Sequence, residues 1–119
     1  MAWSFTADRP VYIQIADRIK KSVLSGQYKA GEQIPAVRQL ALEAAVNPNT
    51  VQHAFTELED EGLIISQGTL GRFVTEDIAV IRAVRRDMAL QIARTFAEEM
   101  EQLSVEPDEV MELIREVMV

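Results

Sequence analysis

"NPNTVQHAFTELEDEG", residues 47–62, decides how the rest of the chain is read. Asn47 offers an acceptor oxygen to an orphan amide at a helix start. Pro48 suits the first helical position, where its missing N–H costs nothing. At about 100° per residue, Val51, Ala54, Phe55 and Leu58 share one face, and Asn49, Gln52, His53 and Thr56 the opposite one. Gly62 is a stop signal. The pattern predicts an amphipathic helix from about Pro48 to Glu61.

The outer face of that helix changes character along its axis. Its first half is uncharged and rich in donors and acceptors, whereas Glu57, Glu59, Asp60 and Glu61 crowd the second half. Phosphates are repelled by the acidic end and accepted at the other, where the helix dipole is positive and free amides point outward. Such a helix enters a DNA groove by its N-terminus, as the second helix of a helix-turn-helix does. Asn and Gln can read adenine edges in the major groove. Thr50 can reach a phosphate or a thymine methyl. His53 either contacts DNA or merely covers the helix. It has no second metal-type ligand nearby, so no metal site is expected. Taken alone, the stretch is also compatible with an ordinary solvated helix face; its neighbours decide.

Upstream, residues 36–44 predict a helix with Val37, Leu40, Ala41 and Ala44 inward and Arg38 pointing away. Only Ala45, Val46 and Asn47 separate it from the next helix. Further back, "VYIQIADRIKKSVLSG" (11–26) puts Tyr12, Ile15, Ile19 and Val23 on one face, with Pro10 opening and Gly26 closing it. "QYKAGEQIP" (27–35) reads as a loop. Downstream, "LIISQGTLGRFVTE" (63–76) reads as two short strands, about 63–67 and 71–75, around a turn at Gly68 and Gly71. Three helices and a hairpin are the order of a winged helix-turn-helix, with the hairpin as the wing.

From Ile78 the period changes. Ile81, Val84, Met88, Ile92, Phe96, Met100 and Leu103 recur every three or four residues, predicting one amphipathic helix of roughly 25 residues. Pro107 starts a last helix with Val110, Met111, Leu113, Ile114, Val117 and Met118 on a broad apolar face. The expected class is mostly α with a small β-hairpin. A winged helix-turn-helix spans 10–77, with the helix-turn-helix at about 37–56 and the wing at about 63–75. A two-helix C-terminal dimerisation appendage spans 78–119. Two helices cannot easily bury both apolar faces alone, so self-association in a C2 dimer is expected. Ile81, Val84, Met88, Ile92, Phe96, Met100, Leu113 and Val117 are its candidate residues.

The charge distribution fits two parts with different jobs. The net charge of −7 at first argues against nucleic acid. The first 75 residues, however, carry seven cationic against eight anionic residues, and the remaining 44 carry five against eleven. There is no cysteine, hence no disulfide, thiolate metal site or cysteine nucleophile. No apolar run approaches the roughly 20 residues of a membrane span, and the first ten residues do not read as a signal peptide. A cytoplasmic protein with no membrane partner is expected.

The run from Pro10 to Val74 resembles the DNA-binding domain of the GntR family of bacterial transcription regulators. The matching stretches are PVYIQI, Gly26–x4–Gly31, IPAVRQLA, NPNTV, LEDEGLI and GTLGRFV. The short acidic two-helix tail resembles the YtrA-type subfamily. The resemblance implies that Arg38 reaches a phosphate or a guanine edge. It places Asn47, Asn49, Thr50 and Gln52 at the start of the recognition helix and Tyr12 near the DNA backbone. It brings Gly68 and Gly71, flanked by Gln67, Thr69 and Arg72, towards the minor groove. The chain departs from the family pattern at Ala36, where a serine cap is common, at Gln67, where a basic residue often sits, and at Arg72, which replaces a frequent threonine. Positive charge on the wing is thereby moved by several residues.

The expected function is a dimeric transcription regulator, a repressor, that binds a pseudo-palindromic double-stranded operator. The competing function is a winged-helix module that binds protein and not DNA; it would expose apolar residues where Asn49, Gln52 and His53 stand. An enzyme is not expected: there is one histidine, no paired carboxylates in an apolar setting and no phosphate-cradling loop, since GTLG sits in a hairpin and not before a helix. No cofactor is expected, and the residues assign no effector.

Overall fold

A computed structural model describes residues 3–119. Five helices and one hairpin follow in the order α1 (Val11–Leu24), α2 (Val37–Ala44), α3 (Pro48–Asp60), β1 (Ile64–Ser66), β2 (Arg72–Val74), α4 (Ile78–Gln102) and α5 (Pro107–Val117). Contacts divide the chain into two compact units, Met1–Arg85 and Arg86–Val119. The division falls inside α4, eight residues past the boundary that the sequence suggests.

The first unit is built on the faces that the helical period selects. Ile15, Ile19 and Val23 of α1, Leu40 and Ala41 of α2, and Val51, Ala54, Phe55 and Leu58 of α3 form one buried cluster with Leu63, Ile64 and Val74. Apolar area removed from water stabilises such a cluster, at about 25 cal/mol per Å². The turn from α2 to α3 is tight. Ala45 takes a left-handed conformation at φ 58°, and the Val46 amide donates back to the Ala41 carbonyl at 3.0 Å. Ala36 makes no side-chain cap on α2.

The hairpin is antiparallel, pairing Ile64 with Val74, Ile65 with Phe73 and Ser66 with Arg72, and a 3-10 turn, Gly68–Leu70, forms its tip. The strands are shorter than the sequence suggests. The segment expected to be a plain loop is also partly extended. The Gly31 amide donates to the Val74 carbonyl at 3.0 Å, Val74 to Glu32 at 2.9 Å, and Ile34 to Arg72 at 3.0 Å. Gln33 bridges Phe73. Thus β2 has a partner on each side, and the wing is tied to the chain just before α2.

The segment before α1 is pinned by side chains. The Gln14 amide accepts from Thr6 N at 2.9 Å and donates to the carbonyls of Thr6 and Arg9 at 2.9 and 2.8 Å. Arg9 pairs with Asp17 at 2.7 Å, and the Arg18 guanidinium lies 4.0 Å from the centre of the Trp3 ring.

Asp77 opens α4, its Oδ1 accepting from Ala79 N at 3.0 Å. Val84 is only 7% exposed and belongs to the core of the first unit, with Val80 and Ile81 packed against it. Ile81 and Val84 of the candidate dimerisation set thus pack within their own unit, where the apolar stripe of α4 serves the winged core before it reaches the tail. In the second unit α5 buries no residue, and Ile92 and Val117 stand 63% and 79% exposed.

Candidate nucleic-acid interface

The candidate surface is assembled by α2, α3 and the wing. Asn47 caps α3 with its own side chain: Oδ1 accepts from Asn49 N at 2.8 Å. This engages Asn47 Oδ1 in the cap. Asn49, Gln52 and His53 are exposed, and Thr50 is half-buried. Neither α2 nor α3 has an acidic residue in its first turn, so the positive end of each dipole is unopposed there. Arg38 is exposed on the first turn of α2.

The acidic half of α3 is milder than its composition suggests. Glu59 Oε1 accepts from Arg72 Nε at 3.1 Å, and Glu61 Oε1 from Lys20 Nζ at 2.8 Å. Two of its four carboxylates are thus paired within the fold. Lys20 is occupied by the same bond.

His53 does not stand alone. Its ring stacks on Tyr12, with centroids 3.5 Å apart and planes 10° from parallel. The two residues that the sequence assigns to different helices therefore form one composite patch across α1 and α3. Gln67, Gly68 and Thr69 are exposed at the wing tip, whereas Gly71 and Arg72 are half-buried at its base. The Arg72 guanidinium lies 4.9 Å from the centre of the Phe55 ring and pairs with Glu59, so it faces α3. Arg38 and Arg72 line one cleft of about 300 Å³ between the wing and the start of α2.

Two contributors went unread in the sequence. Glu59 looked like one member of an acidic run, and Gln33 like a loop residue. The Gln33 Nε2 donates to the Leu70 carbonyl at the wing tip at 2.8 Å. No periodicity signals either bond, since each joins residues distant in sequence. Among the described residues no cluster of His, Cys, Asp or Glu could hold a metal ion, and no helix is long and apolar enough to cross a membrane.

Comparison with known proteins agrees with this geometry. The profile of the "Bacterial regulatory proteins, gntR family" matches residues 11–74, more than half of the chain. The uncharacterised HTH-type transcriptional regulator YhcF of Bacillus subtilis is 28% identical over 111 residues, covering 93% of this chain and 92% of that protein. The HTH-type transcriptional repressor YtrA of the same organism is 41% identical over 68 residues, 57% of this chain and 52% of its own. A GntR family transcriptional regulator from Listeria monocytogenes superimposes with a TM-score of 0.88 at 32% identity, covering 94% of this chain and 98% of the other. An uncapped α2, a self-capped polar α3 and a three-residue-per-strand wing are thus the parts of a DNA-binding transcription regulator, and the chain belongs to the GntR family, among its YtrA-type members.

Proposed function

We propose that the chain is a repressor that binds a pseudo-palindromic operator as a homodimer. The first two turns of α3 enter the major groove, and the wing tip lies near the minor groove. Asn49 and Gln52 meet base edges, while Arg38, Asn47 and Thr50 meet phosphates, with Arg38 also within the chemistry of a guanine edge. Tyr12 and His53 flank the same groove as a stacked pair. Gln67, Gly68, Thr69 and Gly71 bring the wing close to the sugar-phosphate backbone. Arg72 contributes positive potential from the base of the wing. Reading chromosomal operators places the chain's work in the cytoplasm.

The observation that carries this reading is the exposed, uncharged, hydrogen-bonding N-terminal half of α3 beside Arg38. A protein-binding module would present apolar side chains there. The dimer rests on the second unit, where no residue of α5 is fully buried within one copy. Met88, Ile92, Phe96, Met100, Leu113 and Val117 supply the apolar face, which a second copy would cover. Two recognition helices about 34 Å apart would then read two half-sites one helical turn apart.

Selection of genomic fragments by the full-length chain, followed by footprinting, tests the reading. It expects a two-fold symmetric motif with protection in two major-groove patches. Enrichment without symmetry would contradict the dimer, and absence of enrichment would contradict DNA reading altogether.

A further inference from the structure

We propose that Gln33 is a positioning residue that sets the angle of the wing tip. The proposal rests on the wing meeting DNA. The tip residues Gln67–Leu70 are all exposed, so no buried apolar side chain anchors them. Two backbone bonds shape the tip, from Gln67 N to the Gly71 carbonyl at 2.8 Å and from Leu70 N to the Gln67 carbonyl at 3.1 Å. Both lie within the turn itself. They fix its curvature; beyond Arg72, whose carbonyl accepts from Ile34 N at 3.0 Å, no backbone bond among the described residues joins the tip to the body. Among the described residues, the only side-chain hydrogen bond from the body to the tip is that of Gln33 Nε2 to the Leu70 carbonyl, at 2.8 Å.

The surroundings are fitted to that bond. Gln33 is itself held by its bridge to Phe73, so its amide starts from a fixed backbone. Gly71 opens the path: a Cβ there would lie 2.7 Å from Gln33 Nε2, and its φ of +110° disfavours a side chain as well. The amide donor therefore reaches across β2 through a gap left by a glycine. Arg72 and Glu59 hold the base of the same hairpin at 3.1 Å. One bond holds the base and another aims the tip.

Gln33→Met keeps the length of the side chain and the net charge but removes the donor. We would measure it on the full-length chain, against a duplex that the unaltered chain enriches from random-sequence DNA, at matched salt. Affinity is expected to fall roughly fivefold to tenfold, the range of one net hydrogen bond. Protection should be lost over the bases beneath the wing and kept beneath α3, with the thermal midpoint falling by no more than about 5 °C, the cost of one exposed hydrogen bond. In a Gln67→Ala, Thr69→Ala background, Gln33→Met should add almost nothing, because the contacts it aims are already gone. Equal loss of protection under α3 and the wing, or full additivity with the tip variant, would overturn the assignment. If the tip variant weakens binding but Gln33→Met does not, the positioning role alone fails. If the tip variant binds like the parent, the wing reading fails and the role of Gln33 with it.

Discussion

Asn47 combines two tasks that substitution can separate. Its Oδ1 caps α3, and its position at the positive end of the helix faces the proposed phosphate path. Asn47→Ala removes the cap and should cost about 1 kcal/mol of stability in denaturant titration. Asn47→Asp keeps a capping oxygen but adds a negative charge. It should leave stability near the parent value while weakening operator binding, and a variant that loses both together would deny the phosphate role. Arg38→Ala should weaken operator binding by about 2 kcal/mol or more, the loss of a charge-assisted contact. Unchanged affinity at matched salt would refute that assignment. Residues of this kind were legible because their chemistry is local: a cap and a helix face follow from spacing alone. The stack of His53 on Tyr12 was not, since it joins residues 41 positions apart on two helices. The period says which side of a helix faces outward. It does not say which neighbour a side chain meets there.

At the scale of elements, the pairing of Arg72 with Glu59 ties β2 to α3. Both side chains are between a fifth and a third exposed, so the bond contributes at most about 1 kcal/mol to stability. Its larger effect is to occupy a cation on the wing. Glu59→Gln should therefore cost little stability, release Arg72 towards phosphate and steepen the dependence of log affinity on log salt by about one. An unaltered salt slope would mean that Arg72 acts only as a clasp. The five helices were readable because each repeats its apolar residues over at least two turns. The extended segment at residues 31–34 was not. It is too short to show alternation, and its pairing with β2 is set by backbone bonds across some 40 residues. The division of contacts inside α4 has no sign in the sequence for a related reason. Val84 continues an unbroken stripe, and a stripe carries no mark of where its partner changes.

For the molecule as a whole, the two units differ in charge: a near-neutral first part and an acidic second part. The second unit exposes the apolar residues of α4 and α5 that remain after the first has taken its share. Ile92→Glu combined with Phe96→Glu should place carboxylates on that face and yield monomers in sedimentation analysis. The first unit would keep its fold, since none of its core residues changes. Operator affinity should then fall by about a hundredfold or more, as two tethered half-site contacts become independent. A dimer that survives both substitutions would move the interface elsewhere.

Trp3 is the only tryptophan of the chain, and it lies under Arg18 on α1, within the first unit. Indole emission is therefore an optical signal of that unit alone, whereas far-ultraviolet circular dichroism sums over every helix. Melting curves recorded by the two methods would resolve the units without any label. The absence of cysteine extends the advantage. A single thiol introduced at the exposed Thr69 could carry a dye whose colour reports the wing, on the same sample in which Trp3 reports the body beneath it.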